Sequence, residues 1–272
     1  MEVMTEAPAQ VHMYLGSDMQ ARQEHHGAQK QWNNSPMAQG SYSGQSTVQR
    51  MQRNLNISKV PLKVLLWNVR GINAAKKQQY LDWLIREQKP DVVMFNETKL
   101  TSPLYLNGFT SHQTLLKRSG GCITFSNLKG HRKVKALGTY LNWTKIQVGG
   151  EEVHVLNVYL EPGNESFVVK RADTVVNLAK DIIRQDQTAK IIVGGDLNGQ
   201  LNRLNTHLLI AGFTPALRQG TPTHRDGNQL DQLWTRNVEI HNAVIAEPID
   251  QVSDHFLIEV RLEATLIERG QV

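Results

Sequence analysis

Short apolar runs of strand length follow one another from residue 61 onward, and this pattern limits the fold more than any other feature of the chain. They predict eleven strands, at 63–67, 92–95, 108–111, 122–126, 134–137, 143–148, 153–160, 191–193, 229–235, 238–245 and 256–262. Helical spacing appears only at 76–88, 167–184 and 202–211. Gly149-Gly150 predicts a hairpin turn. Many strands with few helices between them indicate two packed sheets flanked by helices.

The texture of the sequence changes abruptly near residue 61. Residues 1–60 are rich in Gln, Met, His, Ser and Gly and lack a sustained apolar period, so they bury too little apolar surface to offset the entropy of ordering. We predict a flexible tail over 1–60, one domain over 61–265 and a short C-terminal tail over 266–272. A helix at about 47–55 that folds on a partner is the alternative for part of the first tail.

The single cysteine, Cys122, excludes an internal disulfide and any zinc site built from several thiolates. It lies in an apolar run, where a small buried residue on a strand is expected. The chain starts without a basic leader or an apolar segment, and no apolar run nears the roughly 18 residues of a membrane helix. We expect an intracellular monomer without a membrane or disulfide partner, and a nuclear location is compatible with this expectation.

Positive charge is concentrated in one acid-free segment. The chain has 30 Lys and Arg against 25 Asp and Glu, a net charge of +5, yet residues 98–150 hold eight Lys or Arg and no acid. The rest of the chain is therefore negative by three charges. Such a segment either follows a phosphate backbone or forms a solvated surface, and the composition supports both interpretations equally.

Polar side chains end five of the predicted strands. They are Asn68, the pair Asn96 and Glu97, the pair Asp196 and Asn198, Asp231, and the pair Asp254 and His255. One such residue would be a turn or cap residue, but a polar group at the end of a rigid strand can also be held in fixed geometry. The recurrence favours a functional site.

The donor types in this set suit a hard cation. Carboxylate and amide oxygens match Mg²⁺, which also keeps waters and takes a substrate phosphate. A lone histidine beside carboxylates argues against structural zinc. Together with the basic segment, the set predicts a phosphate ester as substrate, with the metal polarising the phosphoryl group and a carboxylate or imidazole handling the proton of the attacking water.

Six motifs in sequence order resemble those of the endonuclease/exonuclease/phosphatase superfamily. The motifs are Trp67-Asn68-Val69-Arg70-Gly71, Asn96-Glu97-Thr98-Lys99, Asn157-Val158-Tyr159, Gly195-Asp196-Leu197-Asn198-Gly199, Gln229-Leu230-Asp231 and Ser253-Asp254-His255. The resemblance covers about 62–262. It implies an α/β (α+β) fold, a four-layer αββα sandwich of two mostly antiparallel sheets between helices, with the site at one edge between the sheets.

The resemblance implies a metal site and a base. Glu97 would be the principal metal ligand, and Asn68 would lie close to the same ion. Asp254 would help with the metal or its water, although a turn residue that caps the last strand is its simpler interpretation. Asp196 would orient or deprotonate the attacking water.

The resemblance also implies which residues meet the phosphate. Asn198 would stabilise the transition state, and Tyr159 would donate to the phosphate unless it is an ordinary strand aromatic. His255 would contact the scissile phosphate while Asp231 keeps the imidazole protonated and oriented.

Within the superfamily, the motifs most resemble those of the apurinic-endonuclease-like domain of non-LTR (LINE-type) retrotransposons. Arg70 stands where abasic-site endonucleases place an acid, and 213–231 lacks the Trp- and Phe-rich insertion that forms an abasic-sugar pocket. Lesion specificity is therefore not expected. The Pro-Ala-Trp-Cys-Asp signature of inositol phosphatases is also absent, which disfavours a small-molecule phosphatase.

These patterns predict a Mg²⁺-dependent endonuclease that nicks DNA by water attack, with Mn²⁺ as a substitute for Mg²⁺, and the family resemblance implies that the nick leaves a 3′-hydroxyl. The alternatives are a phosphomonoesterase or RNA-directed nuclease of the same superfamily, and a non-catalytic nucleic-acid-binding relative. Arg70 keeps the last alternative open, because a cation there could partly displace the metal.

Basic residues near the motifs are the candidates for substrate binding. We expect DNA, or RNA in the alternative, to contact Lys99, Arg132, Lys133, His224 and Arg225. The loop 224–227 either reaches into a DNA groove or is a plain hairpin turn. Gly194-Gly195 either lets substrate approach the backbone or provides a tight strand exit.

Overall fold

A computed structural model of the chain describes residues 55–115, 120–246 and 252–269. Within them lie twelve strands: β1 Leu55–Asn68, β2 Val92–Asn96, β3 Thr110–Gln113, β4 Cys122–Ser126, β5 Arg132–Leu137, β6 Leu141–Val148, β7 Glu151–Tyr159, β8 Lys190–Asp196, β9 Thr214–Pro215, β10 Asp231–Arg236, β11 Glu239–Ala246 and β12 Leu257–Arg269. The α-helices among the described residues are α1 Ala75–Gln88, α2 Glu165–Gln185 and α3 Leu201–Ile210.

The strands form two six-stranded sheets. Sheet A has the order β11-β12-β1-β2-β4-β3, and sheet B has the order β5-β6-β7-β8-β10-β9. The pairs β1–β2 and β7–β8 are parallel, and helices α1 and α2 form the crossovers that such pairs require. Antiparallel pairing joins β2–β4, β3–β4, β5–β6, β6–β7, β8–β10, β9–β10 and β11–β12. The predicted, mostly antiparallel pair of sheets is confirmed.

Three apolar cores separate four layers, as alternation along β1 illustrates. Val64 and Leu66 face the core between the two sheets, whereas Leu65 and Trp67 face the core beneath α1. A third core packs α2 and α3 on the outer face of sheet B. Because the central strands are covered on both faces, their sequences are continuous apolar runs rather than alternating ones.

All eleven predicted strands and three predicted helices are present, with most ends within three residues of the prediction. The exceptions are β1, which begins eight residues earlier than predicted, and β12, which ends seven residues later. The hairpin at Gly149-Gly150 is also confirmed, because both residues have positive φ and join β6 to β7. The strand missed by the sequence patterns is β9, whose two residues are too few to show periodicity.

The described part of the chain contains one compact unit at Ser58–Leu266, and residues 55–57 and 267–269 form the outer ends of β1 and β12. These strands reach past the predicted domain edges at 61 and 265. The predicted helix at 47–55 and almost all of the predicted N-terminal tail lie outside the described residues. Among the described residues, no helix combines the length and apolar character needed to cross a membrane.

Cys122 is fully buried at the start of β4, as the sequence predicted. Burial raises the pKa of its thiol to about 12. The thiol is therefore a small core group rather than a nucleophile.

Candidate active site

The polar strand ends meet at one edge of the sandwich. In sheet A, Asn68 pairs with Asn96 where β1 and β2 end together. In sheet B, Asp196 lies between Tyr159 on one neighbouring strand and Asp231 on the other. The two sheets therefore bring together side chains that are far apart in sequence.

A buried histidine lies between two buried carboxylates. His255 Nδ1 is 2.8 Å from Asp231 Oδ2, and His255 Nε2 is 3.9 Å from Asp196 Oδ2. The backbone of His255 is held as well, because its N–H donates to Ser253 Oγ at 3.1 Å and its carbonyl accepts from the Trp67 indole at 2.9 Å. The ring is thus fixed in position on both sides.

Charge balance in this group favours a protonated imidazole and a basic carboxylate. Burial alone would lower the pKa of His255, but the hydrogen bond to Asp231 and the nearby carboxylates raise it to about 9. Burial raises the pKa of Asp196 well above its usual range, and the negative charge of Asp231 adds to this effect. Asp196 is held by the Asn198 backbone N–H at 3.0 Å.

Asn68 links Asp196 to Glu97. Its amide nitrogen donates to Asp196 Oδ2 at 2.7 Å and to Glu97 Oε2 at 3.1 Å. The other Glu97 oxygen is 2.5 Å from Lys99 Nζ. Asn68 Oδ1 accepts the Arg70 backbone N–H at 2.9 Å, which fixes the carboxamide orientation.

Tyr159 also belongs to this group. Burial and the charges of Glu97 and Asp196 hold the pKa of the Tyr159 hydroxyl far above its usual range. The phenol therefore stays protonated and is available as a donor beside the two carboxylates.

The donor set fits a hard divalent cation. Carboxylate oxygens of Glu97 and Asp196 lie on either side of the Asn68 amide, and Asp231 Oδ1 is buried without a hydrogen-bond partner in the described structure. Side-chain ligand atoms of Asp196, Asp231 and His255 lie within 4.8 Å of one another, as do those of His224, Asp254 and His255. The carboxylate oxygens among these donors match Mg²⁺ or Mn²⁺, whereas His255 in its protonated form does not act as a ligand.

The loop 224–227 packs against the site. The His224 ring meets the His255 ring edge-on, with centroids 4.8 Å apart, and the Arg225 backbone N–H donates to the Asp254 carbonyl at 2.9 Å. His224 and Arg225 are therefore brought to the site, together with Lys99.

Arg132 and Lys133 are not brought to the site. Register places Arg132 opposite Lys145, whereas the site edge of the same strand pair is at Leu137 and Leu141. Arg132 also forms an ion pair with Glu152. Net charge along the sequence identified these residues but gave no information about which end of a strand they occupy.

Asn96 and Asn157 are two buried asparagines behind the site, and both belong to the sequence motifs although no role was predicted for them. Asn96 Nδ2 donates to Asn157 Oδ1 at 2.7 Å, and Asn96 Oδ1 accepts the Asp196 backbone N–H at 3.1 Å. They join sheet A to sheet B directly under Asp196. A polar residue that ends an apolar strand was the available signal, but the partner across the sheets could not be read from it.

Gly195 is explained by strand packing rather than by substrate. A Cβ atom at this position would lie 1.7 Å from the Val158 carbonyl oxygen. The glycine lets β7 and β8 pass closely beside the site, so the tight strand exit is the correct alternative.

The chain belongs to the endonuclease/exonuclease/phosphatase family, whose model matches residues 65–255 and whose members are generally hydrolases of phosphate esters. The predicted family is therefore confirmed. No curated protein sequence matches the chain.

Solved structures share the fold at low sequence identity. The 3′ phosphatase NExo from Neisseria, bound to a product DNA hairpin, aligns with a TM-score of 0.60 and 15% identity over 73% of this chain and 98% of that one. An AP endonuclease from Archaeoglobus fulgidus aligns with a TM-score of 0.59 and 15% identity over 76% of this chain and 100% of that one. The endonuclease domain of TRAS1, a telomere-specific non-LTR retrotransposon, aligns with a TM-score of 0.56 and 14% identity over 74% of this chain and 98% of that one. The predicted fold class is confirmed.

Proposed function

We propose that this protein is a divalent-metal-dependent endonuclease that nicks DNA by water attack and leaves a 3′-hydroxyl group. The observation that carries the proposal is the continuous chain of contacts from Asp231 through His255, Asp196 and Asn68 to Glu97. It joins a protonated imidazole, a basic carboxylate and an oxygen-rich cation site at one sheet edge.

Each group in this chain has a chemical role in the proposal. Asp196 takes the proton of the attacking water, for which its raised pKa suits it near neutral pH. The new bond from the water oxygen to phosphorus forms as the bond between phosphorus and the 3′ oxygen breaks, so the phosphate stays on the 5′ side and the 3′ oxygen takes up a proton to become the 3′-hydroxyl. His255, held protonated by Asp231, and the protonated Tyr159 donate to the phosphate oxygens.

Glu97 and Asn68 would hold the metal. A bound divalent ion supplies charge stabilisation for the phosphoryl group and the leaving oxygen. Asn198 would stabilise the transition state, with its amide already fixed by donation to the Leu160 carbonyl at 3.0 Å. Lys99, His224 and Arg225 line the site and would contact the nucleic acid.

Arg132 and Lys133 would act only on a longer duplex. They lie about five residues from the site end of β5, or roughly 17 Å at the usual strand rise. At 3.4 Å per base pair, this corresponds to about five base pairs from the cut.

DNA as substrate is supported by the named activities of the structural neighbours. One neighbour is bound to a product DNA hairpin, another is an AP endonuclease, and a third is a retrotransposon endonuclease domain. The identities of 14–15% transfer the fold alone, so the substrate must be tested on this chain.

Nicking of supercoiled plasmid tests the proposal. We expect relaxation with Mg²⁺ or Mn²⁺, none with EDTA, and a loss of at least about a hundredfold in rate in Asp196→Asn. The nick should prime a DNA polymerase directly, since it ends in a 3′-hydroxyl. Asp173→Asn is the matched control, because Asp173 is a surface carboxylate paired with Arg203 on the helical face.

Three results would contradict the proposal. Hydrolysis of a small phosphomonoester with intact plasmid would indicate a phosphomonoesterase. Cleavage of RNA with intact plasmid would indicate an RNA-directed nuclease. DNA binding without cleavage at any divalent ion concentration would indicate a binding relative.

A further inference from the structure

We infer that Arg70 is a phosphate-binding residue of the cleavage site, and that Asp254 positions Arg70 rather than serving as a metal ligand. This inference rests on the proposed function and adds a specific contact to the nucleic-acid backbone. The arginine follows β1 in the motif that begins at Trp67.

The ion pair between Arg70 and Asp254 is the first step of the argument. Arg70 Nη1 lies 2.5 Å from Asp254 Oδ2, and the same carboxylate oxygen lies 3.4 Å from His224 Nε2. Among the described residues, one oxygen of Asp254 thus contacts two basic side chains, whereas Glu97 is paired with one, Lys99. Asp254 is therefore the carboxylate of the site that is bound most fully to basic groups of the chain.

Backbone geometry fixes where Arg70 stands. Its φ is +46°, in the left-handed region that residues with a side chain seldom adopt. The conformation is held by the hydrogen bond from the Arg70 N–H to Asn68 Oδ1, and by the Gly71 N–H, which donates to the Glu97 carbonyl at 2.6 Å. The same residues that build the metal site therefore position the arginine.

The guanidinium is open to a ligand beside the reacting groups. Its side chain is 58% exposed, and its ion pair among the described residues is with Asp254 alone. Asp254 precedes His255, whose ring packs against His224. A guanidinium has five N–H donors in a planar fork that matches phosphate, so a held but exposed arginine at this place suits a phosphodiester oxygen.

The charged groups around Arg70 also support a role for it in phosphate binding. Lys99 and Lys77 lie near Arg70, since Lys99 pairs with Glu97 and Lys77 Nζ approaches the Arg70 carbonyl at 3.4 Å. Lys99 and Glu97 compensate each other, and Asp254 is shared with His224. Lys99 and Arg70 are each held by a carboxylate, but Arg70 is the more exposed of the two and carries the planar guanidinium that matches a phosphate.

DNA binding in EDTA tests the arginine without catalysis. The probe is a fluorescein-labelled duplex of about 20 base pairs, and anisotropy is measured over a salt series. We expect Arg70→Gln to bind about tenfold more weakly than wild type and to lower the slope of log Kd against log salt by about 0.9, the value for one phosphate contact. Arg70→Lys should keep the slope, because it keeps the charge.

Arg203→Gln is the matched control for Arg70→Gln. Arg203 is also exposed and also paired with a carboxylate, with its Nε 2.8 Å from Asp173 Oδ1, but it joins α2 to α3 away from the site. We expect its affinity and salt slope to equal those of wild type. If Arg70→Gln behaved like Arg203→Gln, the phosphate contact would be refuted.

Mn²⁺ binding, measured by electron paramagnetic resonance on the protein without DNA, tests Asp254. We expect Asp254→Asn to keep its Mn²⁺ affinity within about threefold of wild type, whereas Glu97→Gln should lose tenfold or more. An equal loss in Asp254→Asn would make Asp254 a metal ligand and overturn its assignment. Unfolding curves of each variant show that it is folded.

Failure of this inference is distinguishable from failure of the proposed function. If wild-type protein neither bound nor nicked DNA, both would fall. If wild type bound and nicked DNA while Arg70→Gln kept the wild-type affinity and slope, only the role of Arg70 would fall.

Discussion

At the scale of single residues, the chemistry of the site depends on how burial and charge oppose each other. Burial favours a neutral imidazole at His255, and the hydrogen bond to Asp231 reverses that preference. Burial at Asp196 acts in the opposite sense and makes that carboxylate a stronger base. The two groups therefore hold the protonation states that the proposed hydrolysis needs.

The Asp231→Asn variant should shift the alkaline limit of activity. The pKa of His255 is raised to about 9, so the imidazole is protonated below that pH and kcat/KM should fall as pH rises through it. Without the Asp231 charge, burial lowers the pKa, and the limb should move down by roughly two units or more. A pH profile of nicking and NMR titration of the His255 ring measure this shift.

At pH 8, the same variant should lose about tenfold in rate, because a pKa lowered by two units leaves only about a tenth of its imidazole protonated. The control is the Asp173→Asn surface variant, whose profile should match wild type. An alkaline limb that stayed near pH 9 in Asp231→Asn would show that this pair does not set the protonation of His255.

At the scale of the elements, strand packing fixes the distance between site residues. β7 and β8 run parallel, and Tyr159 and Asp196 end them side by side. Gly195 allows this approach, since the Val158 carbonyl fills the space that a side chain would need. The glycine therefore acts on the site through the sheet.

We expect Gly195→Ala to destabilise the protein by about 3 kcal/mol, because a Cβ atom 1.7 Å from a carbonyl oxygen forces the two strands apart. Urea unfolding measures the loss. Gly163→Ala is the matched control, since no atom lies within 4 Å of the Cβ added there. Equal stability of the two variants would mean that the strands can separate at little cost.

Sequence patterns predicted the elements well because burial imposes a period on each strand and helix. Leu65 and Trp67 pack into one apolar core and Leu66 packs into another, so successive residues of β1 are all apolar and the strand can be recognised as an apolar run. The short β9 has no such run. The ends of the strands were less exact because terminal residues pair in the sheet without being apolar, as Lys190 and Asp231 do.

At the scale of the whole molecule, histidines support the sandwich in their neutral form. His131 directly precedes β5 of sheet B and meets His112 of sheet A edge-on, with ring centroids 4.5 Å apart. His154 accepts a hydrogen bond from the Trp143 indole at 3.2 Å through Nδ1, which must therefore be unprotonated. Burial lowers the pKa of both His131 and His154 to about 4.

These shifts predict loss of stability in mild acid. The unfolded chain takes up protons at an ordinary histidine pKa of about 6.5, whereas the folded protein resists protonation until about pH 4. Stability is therefore complete above pH 6.5 and falls as the pH drops toward 4. We expect His131 and His154 together to account for about 2 kcal/mol, after allowance for partial solvent exposure.

Urea unfolding at pH 7, 5.5 and 4.5 measures this loss. His154→Asn cannot take up a proton there, so the decline between pH 6.5 and 4 should be smaller than in wild type. A wild-type-like decline in His154→Asn would assign the acid sensitivity to other groups.

The sequence by itself determined which residue types end each strand and in which order the motifs occur. Asn68, Glu97 and Asp196 were found in this way, because a polar residue after an apolar run is a local signal. Asp231 and His255 were also found, but the prediction that they end strands is wrong, since Asp231 begins β10 and His255 precedes β12. The family of the chain followed from the same motifs and is the one whose model matches.

Only the tertiary structure decided which of these residues touch. It placed Arg70 on Asp254, joined Asn96 to Asn157 across the sheets, and left Arg132 at the far end of β5. The physical reason is that periodicity reports the burial of each element separately. Contacts between elements depend instead on strand order and register, which arise when the two sheets pack together.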